Sequence, residues 1–145
     1  MPARDRDHDI VRTALIADGW TITDDPLHLR FAGDDLYVDL AAERLIAAEK
    51  GLRRIAVEIK SFNGPSEIVD LHAAVGQFVV YREVLAEVDP TRELYLAVSE
   101  AVRDEVFSTG VARLLLARQI HNLVSYDPER KEIVRWIPST VTEPR

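Results

Sequence analysis

Residues Ile55–Lys60, IAVEIK, decide how this chain is read. The run is apolar and rich in branched residues, which predicts a buried strand. Side chains on a strand alternate between faces, so Glu58 and Lys60 point one way while Val57 and Ile59 point the other. A carboxylate and an ammonium side by side at a strand end suit metal-dependent phosphodiester hydrolysis. That chemistry needs a water activated near neutral pH and charge stabilisation at phosphorus, and magnesium supplies both. Magnesium takes hard oxygen ligands, and one or two protein carboxylates are a usual number. Standing alone, Glu-x-Lys on a strand reads as a solvated face with a weak ion pair.

Two neighbouring segments add to it. Upstream, Leu36–Leu40 reads as a strand with Tyr37 and Asp39 on one face. Asp39 and Glu58 are then the candidate carboxylate pair, and the Ile59 carbonyl is a further candidate oxygen. Downstream, SFNGPS is a loop, and Ser66 with Glu67 and Asp70 predicts a helix start. That helix runs to about Glu87, before Asp89–Pro90. Asp70, Ala73, Ala74, Gln77 and Tyr81 share one stripe at helical spacing. Ile68, Leu71, Val75, Phe78 and Val79 form its core side. The small residues beside Gln77, with Gly76, suggest close approach to the sheet. Standing alone, Gln77 and Tyr81 read as the edge of a core.

The remainder predicts a mixed α/β domain spanning 1–145 around one sheet. Residues 5–18 form an amphipathic helix stopped at Gly19. Trp20–Thr23 and Leu27–Phe31 are strands. Leu45–Glu49 is either helical or the first arm of a hairpin with IAVEIK, and Gly51 favours the hairpin. Glu93–Val98 is a strand, Ser99 caps a helix, and Thr109–Gly110 breaks it before Val111–Gln119. Leu123–Tyr126 and Glu132–Ile137 form a last hairpin, and the tail after Pro138 frays. Trp20 and Trp136 read as core, with an interface as the alternative.

Composition narrows the function classes. Eighteen basic and 25 acidic residues give a net charge of −7. This counts against a protein that coats nucleic acid through phosphate neutralisation, yet permits an enzyme with a local basic rim. Rim candidates are Arg53 and Arg54, Arg113 and Arg118, and Arg130 and Lys131. The chain has no cysteine, which excludes disulfides and thiolate metal sites. No apolar run suits a bilayer and no leader is visible, so the expectation is a cytoplasmic protein. The four histidines show no metal-ligand spacing, and His8, with Asp5 and Asp9 on the first helix, reads as surface, with an approach to the site as the alternative. No phosphate-binding glycine motif or nucleophile elbow is present.

Asp39, then Glu58-x-Lys60, then Gln77-x-x-x-Tyr81 resembles the core of the PD-(D/E)xK nuclease superfamily with the added motif of its RecB-like branches. Most of the chain, from PARDRDHDIVRTALIADGWTITDDPL through IAVEIKSFNGPSEIVDLHAAVGQFVVYREVL to IVRWIP, resembles the XisH family. That family is the fdxN-element excision controlling factor of cyanobacterial heterocyst DNA rearrangement. The resemblance implies a restriction-endonuclease-like core, helix–three strands–helix–strand, with a C-terminal helix and hairpin. It implies Mg2+ or Mn2+ held by Asp39 and Glu58, Lys60 as catalytic lysine, and Gln77 and Tyr81 as auxiliary site residues. It further implies DNA and an XisI-type companion as partners, with a homodimer as one way to cut both strands. Val38 stands where the superfamily's name has a proline. Glu43 or Glu49 replaces Asp39 as ligand if the strand register differs. The same fold could instead be catalytically silent and bind XisI or a recombinase.

Overall fold

The computed structural model describes residues 4–47, 51–108 and 110–138. The first helix, α1 (His8–Ala17), is shorter than expected. Residues ahead of it are taken by local bonds, with the Asp7 N–H donating to Asp5 Oδ1 at 2.9 Å. Gly19, at φ +98°, turns the chain out of the helix, a conformation that a Cβ disfavours.

Four strands and a fifth follow: β1 (Thr21–Asp24), β2 (Leu27–Phe31), β3 (Asp34–Val38), β4 (Leu40–Ala47) and β5 (Gly51–Ile59). Here one expectation is corrected. Leu36–Leu40 is not a single strand, because β3 ends at Val38 and β4 begins at Leu40, leaving Asp39 at the bend between them. The reason is a change of partner: β3 pairs with β2 in a small two-stranded sheet, whereas β4 pairs with β5. The β4–β5 hairpin holds, with a first arm longer than expected; Lys50 and Glu49 lie outside the described residues. Next come α2 (Glu67–Val88), β6 (Arg92–Ser99), α3 (Glu100–Glu105) and α4 (Gly110–Leu115), the last continued by a wider turn over Leu116–Ile120. The predicted break falls partly on Thr109, outside the described residues. β7 (Leu123–Asp127) and β8 (Glu132–Ile137) close the chain as a hairpin. The Ser66 and Ser99 hydroxyls accept from Val69 and Val102 N–H, capping α2 and α3.

The six-stranded sheet runs β1-β4-β5-β6-β7-β8, antiparallel except for the parallel pairs β5–β6 and β6–β7. This is a mixed α+β architecture. Both faces of the sheet are covered, so its central strands read as continuous apolar runs. One face, with Ala56, Leu96 and Val98, packs on Leu71, Ala74, Phe78 and Leu85 of α2. The β2–β3 hairpin joins this layer through Leu27, Leu29 and Val38. The other face, with Ile55, Val57, Ile59 and Tyr95, packs on Val11 and Leu15 of α1 and on Trp20.

Helix α2 departs from expectation on its outer side. Its buried stripe is Leu71, Ala74, Phe78 and Leu85, while Ile68 is 48% exposed. Ala73 and Gly76 face solvent. A Cβ at Gly76 would meet nothing within 4 Å, so this glycine serves no close approach. Trp20 is buried and Trp136 half-buried. No helix among the described residues is long and apolar enough to cross a membrane.

Candidate active site

Strand β5 ends at the residues that opened the reading. Ala56 and Glu58 face the α2 side, and Lys60 follows just past the strand, its N–H donating to the Ala97 carbonyl at 3.0 Å. Asp39 and Glu58 meet across the start of the β4–β5 ladder, where Leu40 pairs with Val57. Each carboxylate accepts from a backbone N–H on the other's segment. The Ile59 N–H donates to Asp39 Oδ2 at 2.8 Å, and the Asp39 N–H donates to Glu58 Oε1 at 3.4 Å. On α2, Gln77 and Tyr81 lie one turn apart and reach the same place. Asp39, Glu58, Ile59, Lys60, Gln77 and Tyr81, joined by Asp5 and Tyr37, line one cavity of about 120 Å³. All five residues singled out in the sequence therefore converge. Glu43 does not line the cavity: on β4 it pairs with Arg54, further along the ladder. Glu49 lies outside the described residues.

Burial sets the electrostatics. Glu58 is 7% exposed, and its pKa is pushed up from 4.5 to about 9. Desolvation is the largest cause, and the Asp39 charge adds to it. Asp39 is also raised, chiefly by burial, against the lowering effect of its bond from Ile59. The Tyr81 hydroxyl is pushed up to about 12 by burial and by the two carboxylates, so it stays a neutral donor. Two carboxylates in one desolvated space cannot both ionise without a nearby cation.

The donor set fits a hard divalent cation. Beside the carboxylates, Gln77 Oε1 is buried with no hydrogen-bond partner. In an extended strand a residue's N–H and C=O leave on the same edge, so the Ile59 carbonyl lies on Asp39's side. Oxygen donors of this kind suit magnesium or manganese. Among the described residues no group of three or more histidine, aspartate and glutamate side chains is arranged around a metal. The set here is two carboxylates plus amide and carbonyl oxygens.

Two residues for which the sequence left an approach to the site open, with surface preferred, also belong here. Asp5 lines the cavity, and its Oδ2 accepts from the Ser61 N–H at 3.1 Å and hydroxyl at 3.2 Å. His8, expected at the surface, is 3% exposed. Its Nε2–H donates to Asp25 Oδ1 at 2.6 Å, and its Nδ1 is buried without a partner. It is near enough for its charge to lower Asp39. No local pattern marks either residue. Tyr37 did carry a signal, since it shares a strand face with Asp39. Of the rim candidates, Arg53 is buried and Arg54 bonds Thr91, both toward the far end of β5. Arg113, Arg118, Arg130 and Lys131 are exposed and line no part of the cavity.

Residues 1–134 match the family model described as XisH protein. The crystal structure of an XisH family protein from Nostoc punctiforme is similar, with TM-score 0.82 and 39% identity, covering 92% of this chain and 99% of that one. A fdxN element excision controlling factor protein from Anabaena variabilis is similar at TM-score 0.82 and 41% identity, with the same coverage. Among curated proteins, none matches this chain.

Proposed function

The chain belongs to the XisH family, and on that basis we propose a metal-dependent endodeoxyribonuclease of restriction-endonuclease-like fold that acts in excision of a DNA element. The observation that carries the reading is the convergence of Asp39, Glu58, Lys60, Gln77 and Tyr81 on one cavity. The antiparallel β4–β5 hairpin followed by the parallel β5–α2–β6 unit supports the PD-(D/E)xK assignment. The control of excision is carried over from the Anabaena variabilis relative, and the setting proposed with it is cytoplasmic.

Asp39 and Glu58 would hold Mg2+ or Mn2+, with Gln77 Oε1 and the Ile59 carbonyl as further oxygens. Such an ion supplies an activated water and neutralises charge at phosphorus. The water oxygen bonds to phosphorus, a phosphorus–oxygen ester bond breaks, and the water's proton ends on the leaving oxygen. The Lys60 ammonium stabilises the charge that grows on the phosphoryl oxygens. Tyr81, kept as a phenol, donates a hydrogen bond at the cavity wall.

The test is cleavage of supercoiled plasmid and branched DNA by pure protein with magnesium or manganese, repeated with an XisI-type companion. Cutting should vanish in Asp39→Ala through loss of metal. In Lys60→Ala it should fall about 10²–10³-fold with metal affinity retained, because Lys60 is not a ligand. Equal cutting by both variants and the wild type would refute the assignment.

A second reading is favoured by the net charge of −7. The protein would then be a nuclease-fold partner of an XisI-type companion or a recombinase that cuts nothing. A stoichiometric complex without DNA affinity supports it. Strong salt-dependent binding to bare DNA counts against it. A homodimer belongs to the first reading, as a way to cut both strands.

A further inference from the structure

Tyr37 belongs to two places at once. It lines the carboxylate cavity, and it sits on the outer face of the β2–β3 hairpin opposite His28. The two rings are stacked, with centroids 4.9 Å apart and planes inclined by 14°. The His28 side chain is 48% exposed, so the stack starts in the cavity wall and ends in water. We propose that this stack is a platform for an unpaired nucleobase of a DNA strand whose backbone reaches the Asp39–Glu58 cavity. The inference rests on the proposed function for its ligand, DNA, and for the cavity that the backbone reaches.

The platform is rigid. Nε2–H of His28 donates to Asp35 Oδ1 at 2.7 Å, which fixes the ring's rotation. Tyr37 supports it from below. The hairpin's inner face is anchored in the core by Leu27, Leu29 and Val38. A base added to the open ring face therefore costs little side-chain ordering. Arg30 lies on the same outer face, with its side chain 70% exposed and its Nε 4.0 Å from Asp35 Oδ1, the carboxylate oxygen that also holds His28.

Charge favours this mode of binding. A chain at −7 has little capacity to hold DNA through phosphates. Stacking on an aromatic face needs no charge and accepts any base. It does need a base that is out of its duplex, so the substrate class is single-stranded, gapped or branched DNA.

The probe is a single-stranded oligonucleotide carrying 2-aminopurine, titrated with the full chain in metal-free buffer. Stacking should quench the probe, and a blunt duplex of the same sequence should bind more weakly. His28→Ala should weaken single-strand binding about tenfold, within the range for loss of one stacked base. His28→Phe should restore most of it, and circular dichroism verifies that both variants fold. The proposal is overturned if His28→Ala binds like the wild type, if duplex binds as tightly as single strand, or if nothing binds. Metal-dependent plasmid cutting separates the two ideas. Cutting with a silent His28→Ala removes the platform and keeps the nuclease. His28-dependent quenching without cutting under any metal removes the nuclease and keeps the platform.

Discussion

Glu58 sits where two requirements conflict: it is buried in the cavity wall, and the proposed metal-holding role would need it ionised. Folding raises its pKa from 4.5 to about 9. Between those values the folded protein keeps a proton that the unfolded chain has lost, so this group makes stability fall as pH rises through the window. At pH 7 the penalty is on the order of 3 kcal/mol. Glu58→Gln should remove that dependence and raise the denaturation midpoint at neutral pH, measured by urea unfolding from pH 5 to 9. Cation binding acts in the opposite sense, because it favours the ionised pair. Calorimetry of manganese binding at pH 7 should show heats that vary with buffer ionisation, reporting proton release, and affinity should rise toward pH 9. Heats independent of the buffer would mean that Glu58 is already ionised or is not a ligand. Glu58, Lys60, Gln77 and Tyr81 were readable from sequence, because Glu58-x-Lys60 and Gln77-x-x-x-Tyr81 express local periodicities of strand and helix. Asp5 and His8 were legible only as an alternative to a surface position, because their placement depends on Ser61 and Asp25, and a distant partner leaves no trace in local spacing.

At the scale of elements, two glycines separate a site-building loop from an idle helix face. Gly64 lies in the loop after Lys60, where a Cβ would stand 2.8 Å from Asp70 Oδ1, and its N–H donates to Asp70 Oδ2 at 3.0 Å. Gly64→Ala must push the carboxylate aside and lose that bond, at about 1 kcal/mol. Gly76 is the reverse case, an exposed interior position of α2 with open space around it. Gly76→Ala should stabilise by about 0.5–1 kcal/mol through helix propensity. Paired urea titrations of the two variants should shift in opposite directions. Element positions were legible because alternation and capping residues are local signals. The break at Asp39 was not, since LYVDL reads as one strand and divides only because its two halves pair in different sheets. On α2 the expected core side holds at Leu71, Val75 and Phe78 but fails at Ile68, which is apolar yet lies beyond the sheet's cover, with 48% exposure.

Over the whole molecule, one cluster joins residues far apart in the chain. The Arg53 guanidinium lies 5.9 Å from the Trp20 ring, 5.8 Å from Tyr95 and 5.9 Å from Trp136. It also donates to Tyr95 Oη at 2.5 Å and to Glu93 at 3.3 Å. Trp20 precedes edge strand β1 and Trp136 belongs to the opposite edge strand β8, yet their rings are 5.5 Å apart. Arg53→Ala would remove the cation from the three rings and its bond to the buried Tyr95 hydroxyl, at a cost of about 2–3 kcal/mol. Tryptophan fluorescence during urea unfolding should record this as a lower midpoint with an unchanged slope. The mixed layers were foreseeable from element order, but this closure was not, because sequence gives no sign that the two edges share side chains. The same closure bears on biosynthesis. Helix α1 leaves the ribosome more than a hundred residues ahead of Tyr126, which donates to Asp7 at 2.6 Å, and of Trp136. Chains stalled before β8 should therefore expose α1 and Trp20 to chaperones and proteases, and emergence of the β7–β8 hairpin becomes the event that lets this fold close.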